Sequence, residues 1–213
     1  MKKYKNFLLF SQFLNNKMNK QTLFDELVNK ARKIYLDDPI FSKNKLSESL
    51  LYLNEALSLD LQSFNDSIYD RYKIYDTFLL RGKIRYKLKQ YKESIIDYDN
   101  ALVYVDNDYL LHLYRGHSNF ELEKYFDALN DYDNALKINP YNGSIFMNKG
   151  FVEMSLGNFK DAINYFDIAS RKKLDNEIDK ILIKMHRNIA EDYLKYNDND
   201  NFKETNNFKI YII

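Results

Sequence analysis

Glycines at positions 82, 116 and 150 stand 34 residues apart, and five further series of residues keep the same step. Leu88, Leu122 and Leu156 form one series, and Tyr91, Tyr125 and Phe159 the next. Ser94, Ala128 and Ala162, then Tyr98, Tyr132 and Phe166, then Ala101, Ala135 and Ala169 complete the set. A fixed period of this length means that one small structural unit has been copied and laid against itself. Within a unit, apolar residues recur at helical spacing in two runs, parted by a polar break at Lys89-Gln90, Glu123-Lys124 or Gly157-Asn158. In the first copy Phe78, Gly82, Ile84 and Leu88 mark one helix, and Tyr91, Ile95, Tyr98, Ala101 and Leu102 the other. Gly82 and Ala101 fall where two helices must approach to roughly 8–10 Å between axes, while Tyr91 and Tyr98 fill the wider gaps. A lone hairpin of this kind cannot bury its apolar face, so the copies must share a core. The expected fold is all-α, an α-solenoid of stacked antiparallel helical hairpins.

Composition agrees and removes several classes of function. The chain of 213 residues has 5 Gly and 2 Pro, too few for the tight turns of a β-sandwich or a Gly-rich nucleotide loop. It has no Cys, which excludes a disulfide framework, a thiolate nucleophile and Cys-ligated metal, and makes the reducing cytoplasm the expected compartment. Lys and Arg total 32 against 31 Asp and Glu, so no global field recruits nucleic acid or an anionic membrane. Residues 1 to 20 carry five Lys and no acid, with Ser11 and Gln12 interrupting the apolar run that follows. With no small-x-small cleavage site, this start reads as an amphipathic helix burying Phe7, Leu8, Phe10, Leu14 and Met18 rather than as a secretory signal. No stretch approaches the ~20 apolar residues of a membrane span.

The small, aromatic and alanine positions together resemble the tetratricopeptide repeat. Residues 75–108, 109–142 and 143–176 are similar to three consecutive units, with Leu80-Arg81-Gly82, Tyr114-Arg115-Gly116 and Asn148-Lys149-Gly150 in the usual place on the first helix. The inter-repeat proline occurs once, at Asn139-Pro140, and is replaced by Asp106 and Leu174 elsewhere. The tyrosine usual three residues after the glycine is Arg85, Asn119 or Glu153, with Tyr86, Phe120 or Met154 following it. Residues 1–74 read as N-terminal helices with one degenerate repeat, Thr22 to Leu36 and Leu46 to Asp60 supplying its two helices around an irregular loop at Asp37-Asp38-Pro39. Residues 177–196 read as a capping helix and 197–213 as a mobile tail. The resemblance implies a right-handed superhelix whose first helices line a concave groove.

No constellation in the sequence carries chemistry, so no catalytic residue, cofactor or metal is assigned. His112 and His117 are five apart, wrong for a shared helix face; His112 takes the core slot of Phe78 and Phe146, and His117 faces the groove. Asp97-Tyr98-Asp99-Asn100 and Asp131-Tyr132-Asp133-Asn134 lack the Gly and terminal Glu of a calcium loop and are expected to be solvated outer faces of second helices. The repeat glycines lack the strand and loop of a phosphate site.

By the resemblance, the groove is lined by Asp76, Leu79, Leu80, Lys83 and Tyr86 in the first unit and Leu110, Leu113, Tyr114, His117 and Phe120 in the second. Ser144, Met147, Asn148, Phe151 and Met154 follow in the third, and Ile178, Ile181, Leu182 and Met185 on the cap. Members that grip a C-terminal carboxylate use Lys, Asn, Asn, Lys and Arg, where this chain has Leu79, Lys83, Tyr114, Ser144 and Asn148. The sequence therefore points to a non-enzymatic protein-interaction scaffold that holds a helical or extended apolar segment of a partner. The alternatives are a single-stranded RNA reader, for which the recurrent Arg81, Arg115 and Lys149 are offset by Asp97, Asp99, Asp131 and Asp133, and a self-associating structural protein. The same groove residues are otherwise covered by the cap, by a homo-oligomeric neighbour or by the apolar Phe208 to Ile213 tail. Neither nucleic acid nor membrane is an expected partner. Leu113 and Phe151 are the residues at which Asp is expected to abolish binding while leaving helicity intact.

Overall fold

The computed structural model of the chain describes residues 20–59, 67–174 and 176–197. The first helices in chain order are α1 (Lys20–Leu36), α2 (Lys43–Ser58), α3 (Ile68–Lys87) and α4 (Tyr91–Leu102). They are followed by α5 (Tyr109–Glu121), α6 (Tyr125–Ile138), α7 (Gly143–Ser155), α8 (Phe159–Ser170) and α9 (Glu177–Asn197). These fall into two compact units divided between Asp106 and Asn107, α1 to α4 in the first and α5 to α9 in the second. The expectations for the first 19 residues and for the tail beyond Asn197 lie outside the described residues.

The 34-residue period has a direct physical basis. In each of the hairpins α3–α4, α5–α6 and α7–α8 an aromatic ring of the second helix lies flat against the glycine of the first. A Cβ added at Gly82, Gly116 or Gly150 would stand 2.5, 2.6 or 2.6 Å from a ring carbon of Tyr98, Tyr132 or Phe166. Those rings are at most 1% exposed, so they have nowhere to retreat. Ala101, Ala135 and Ala169 are fully buried. The turn is repeated as well: after each first helix the backbone enters the left-handed region at Lys89 (φ 61°), Glu123 (φ 59°) and Gly157 (φ 80°). The next amide then reaches back to the carbonyl of Arg85, Asn119 or Glu153, closing a Schellman turn that satisfies the orphan carbonyls. Just across the turn Tyr86 meets Tyr91 at 5.4 Å between ring centroids, and Phe120 meets Tyr125 at 5.8 Å.

First helices start at good caps. Ser67 Oγ accepts from the Asp70 amide at 3.1 Å and donates to its carboxylate at 2.6 Å, so α3 begins seven residues before Tyr75. Asp108 Oδ1 accepts from the Leu110 amide, and Asn142 Oδ1 from the amides of Ser144 and Ile145. The N-terminal hairpin, α1–α2, is joined through Ser49, whose hydroxyl donates to the Ala31 carbonyl at 2.8 Å. It shares a core with α3 through Leu23, Leu27, Leu53, Ile74 and Ile84. In the second unit Leu113, Tyr132 and Val152 bind the two hairpins together. There α9 closes the far side, burying Ile183 and Ala190 and setting His186 4.8 Å from the Phe151 ring.

Two substitutions test this account by urea denaturation. Gly116→Ala is expected to destabilise by about 1–3 kcal/mol, the overpacking cost exceeding the roughly 1 kcal/mol that alanine gains over glycine in a helix. Glu123→Gly is expected to stabilise by about 0.5–1 kcal/mol, because glycine removes the strain of a side chain at positive φ.

Candidate functional site

The repeat-locked charges decide what the surface has to offer. Asp97 is fully buried on α4, and the Arg81 guanidinium grips both its oxygens at 2.6 to 3.2 Å while Arg85 adds a contact at 2.8 Å. Asp131, 2% exposed on α6, takes Arg115 at 2.6 and 2.9 Å and the Asn119 amide at 2.8 Å. These two carboxylates were expected on solvated outer faces; instead they point into the hairpin, tying first helix to second. Burial raises the Asp97 carboxyl above its ordinary value against the pull of Arg81 and Arg85. At Asp131 burial is outweighed by neighbouring His112, Arg115 and Asn119, and the carboxyl lies below its ordinary value. Asp133 pairs outward with Lys149 at 2.5 Å, and the Lys149 ammonium also sits 4.6 Å from the Tyr165 ring centroid. All three recurrent cations of the first helices are thus engaged by carboxylates within the fold.

The groove residues divide sharply by burial. In the first unit Leu80 belongs to the core, Asp76 pairs with Arg32 of α1, and Leu79, Lys83 and Tyr86 are half-buried. In the second, Leu113 (6% exposed), Met147, Phe151 (8%) and Met154 (1%) are core residues, and Ser144 donates to Asp179 of α9 at 2.9 Å. Cover by α9 buries three of them: it lies over α7 and α8, taking Met147, Phe151 and Met154 into one cluster with Ile183, while Leu113 packs with Ile145 and Val152 of α7. Leu113 and Phe151 are therefore part of the packing, and Asp at either would attack the fold as well as any ligand. Leu110, Tyr114, His117, Phe120, Asn148 and Leu182 are half-buried, whereas Ile178, Ile181 and Met185 are 65%, 66% and 47% exposed.

His112 and His117 follow different fates. His112 is partly buried with Nδ1 4.0 Å from an Asp131 oxygen. His117 lies between the rings of Tyr114 and Tyr132, with Nε2 2.9 Å from Asn148 Nδ2. An amide donating to Nε2 requires that nitrogen to be unprotonated, and desolvation pushes the imidazole down to about 4. Among the described residues no group of three His, Asp or Glu is placed to hold a metal ion, and no helix is long and apolar enough to cross a membrane.

Sequence reasoning did not pick out a cleft of about 470 Å³ in the first unit, between α1 and the start of α3. Its floor is Phe24 and Val28, its α3 wall carries Tyr69, Tyr72 and Tyr75, and Asn29 faces them from α1. Two ion pairs cross it: Asp25 with Lys73 at 2.7 Å, and Arg32 with Asp76. The Lys73 ammonium also lies 4.6 Å from the Tyr69 centroid. The signals in the sequence were the three-residue spacing of the tyrosines, which ends on the first residue of the 75–108 unit, and Asp76, already assigned to the groove.

No family model and no curated protein matches this chain by sequence. Solved structures do match its fold. MamA (MSR-1) superposes with a TM-score of 0.56 at 14% identity, over 84% of this chain and 89% of its own. The TPR domain of Sgt2 from Aspergillus fumigatus gives 0.53 at 13% identity, covering 64% of this chain and 89% of its own. The first TPR of Spaghetti (RPAP3), bound to the HSP90 peptide SRMEEVD, gives 0.52 at 16% identity, covering 58% and 94%.

The His117 environment predicts a pH dependence. An unfolded imidazole takes up its proton near 6.5, whereas the folded one resists to about 4. The unfolded chain binds more protons throughout that window, so stability rises with pH across it and is lost as the solution is acidified from 6.5 towards 4. Relative to its value at neutral pH, the stability of the wild type at pH 5 should drop about 2 kcal/mol further than that of His117→Gln. Parallel urea-midpoint profiles for the two proteins would refute the assignment.

Proposed function

We propose that this chain, which has the tetratricopeptide-repeat fold, is a non-enzymatic interaction module holding a helical or extended apolar segment of another protein against the groove-lining faces of its helices. The observation that carries this is the exposed face of α9. A helix that ends a solenoid ordinarily turns a polar face to water. Here Ile178, Ile181 and Met185 fall within about 60° of arc on the helix wheel. They stand 65%, 66% and 47% exposed, while Ile183, His186 and Ala190 on another face of the same helix are packed away at 4% or less. An exposed apolar stripe of this kind is characteristic of a surface that is covered in use.

The fold supports the same reading, since the first TPR of Spaghetti (RPAP3) holds a peptide. That ligand closes on Glu-Glu-Val-Asp, and carboxylate capture is not proposed for this chain: of the corresponding positions, Ser144 is engaged by Asp179 and Asn148 by His117. Binding to RNA phosphates is likewise disfavoured, because Arg81, Arg115 and Lys149 already have carboxylate partners. The lack of Cys suits a reducing compartment such as the cytoplasm.

Replacing Ile181 and Met185 together with Asp tests the proposal on exposed positions, where the melting temperature should hold within a few degrees. Proteins retained from a native lysate by the wild type should be lost by the double variant. An unchanged set of retained proteins would count against the stripe. A dimer seen by light scattering, and dissolved by the same substitutions, would assign it to self-association instead.

A further inference from the structure

The α1–α3 cleft of the first unit differs in kind from the α9 stripe. Its apolar floor is almost out of reach, Phe24 being 2% and Val28 6% exposed, so it offers an apolar helix little surface. What it does offer is aromatic edge: Tyr69 is 66% and Tyr72 52% exposed, and Tyr72 meets Tyr75 edge-on with centroids 6.3 Å apart. We propose that this cleft binds a proline-rich segment of another protein in the polyproline II conformation.

Geometry favours that ligand. Three-residue steps along α3 separate successive tyrosines by roughly 4.5 Å of helix rise and turn each about 60° back round the helix, so Tyr69 and Tyr75 are about 9 Å apart along the axis and splay to either side of Tyr72 in a left-handed row. One turn of polyproline II, with three residues at about 3.1 Å each, advances about 9.3 Å. Prolines one turn apart can then seat on either side of the Tyr72 ring. A polyproline II strand makes no internal hydrogen bonds and turns its carbonyls outward. The hydroxyls of Tyr69 and Tyr72 and the Asn29 amide supply donors along the cleft.

Charge points the same way. Asp25 is held by Lys73 and Asp76 by Arg32, so the rim is electrically balanced and a strongly acidic or basic segment would have to break an existing pair. An uncharged proline-rich strand breaks neither. Being already stiff, it loses little conformational entropy on docking, which is what lets an open, shallow cleft hold it.

The inference rests on the interaction-module reading but uses a surface other than the α9 stripe, so the two experiments can fail separately. The probe is decaproline, acetylated and amidated at its ends, titrated into the isotope-labelled full chain and followed by amide shifts. Saturable shifts are expected in residues 24–32 and 69–76. Tyr72→Ala should weaken binding about tenfold or more, as loss of a central aromatic anchor does. Tyr72→Phe, which keeps the ring, should stay within about threefold. Both variants change one exposed ring, and helicity checks that each folds. The Ile181→Asp, Met185→Asp double variant should bind decaproline unchanged. Absence of shifts at millimolar peptide, equal affinity in Tyr72→Ala, or tighter binding of a leucine–lysine helical peptide to the same amides would overturn the proposal. Self-association abolished by Tyr72→Ala would overturn it too, giving the cleft to a second copy. Failure of decaproline with the stripe-dependent partner still retained would leave the interaction-module reading standing.

Discussion

The contact on which each clear hairpin depends is a flat aromatic ring pressed against a glycine. At 2.5–2.6 Å from where a Cβ would be, Tyr98, Tyr132 and Phe166 set how closely two helices approach, and no other residue than glycine lets them do so without a shift. The close approach brings buried alanines into contact range and puts Arg81 and Arg115 beside the carboxylates sixteen positions further on. Small residue, ring and ion pair are therefore one device, repeated because the geometry that accommodates one copy accommodates the next.

The third hairpin shows what happens when part of that device is changed. Tyr165 stands where its sisters carry Asp97 and Asp131, and Lys149 turns to Asp133 on the preceding helix and to the Tyr165 ring. The interaction moves from within a hairpin to between α6 and α7, so the cation stays satisfied while the second unit gains a link between its hairpins. Next to it, Arg187 of the cap takes Asp167 at 2.6 Å, which extends the pattern of one helix answering the acid of the one before. Such partly exposed pairs add little stability individually but fix register.

Much of the architecture was legible because it is written in short-range periodicity. Gly82, Leu88, Tyr91 and their copies mark helix, turn and helix directly, and the turn keeps its left-handed residue even where glycine gives way to Lys89 or Glu123. The acids were misjudged for an equally physical reason. An Asp at helical spacing looks solvated until the arginine that neutralises it is placed, and Arg81 is brought to Asp97 only by the hairpin closing.

From its residues alone the chain specified which positions form helices and which face of each is apolar, since both follow from spacings of three and four along one segment. Exposure is another matter, being set by whatever packs opposite. Phe151 and Met154 were assigned to an open wall that α9 covers, while Ile178 and Ile181 on α9 itself have nothing over them among the described residues. The tyrosine-lined cleft required α1 and α3 to meet, pairing Asp25 with Lys73 across 48 residues, a distance at which no local pattern carries information.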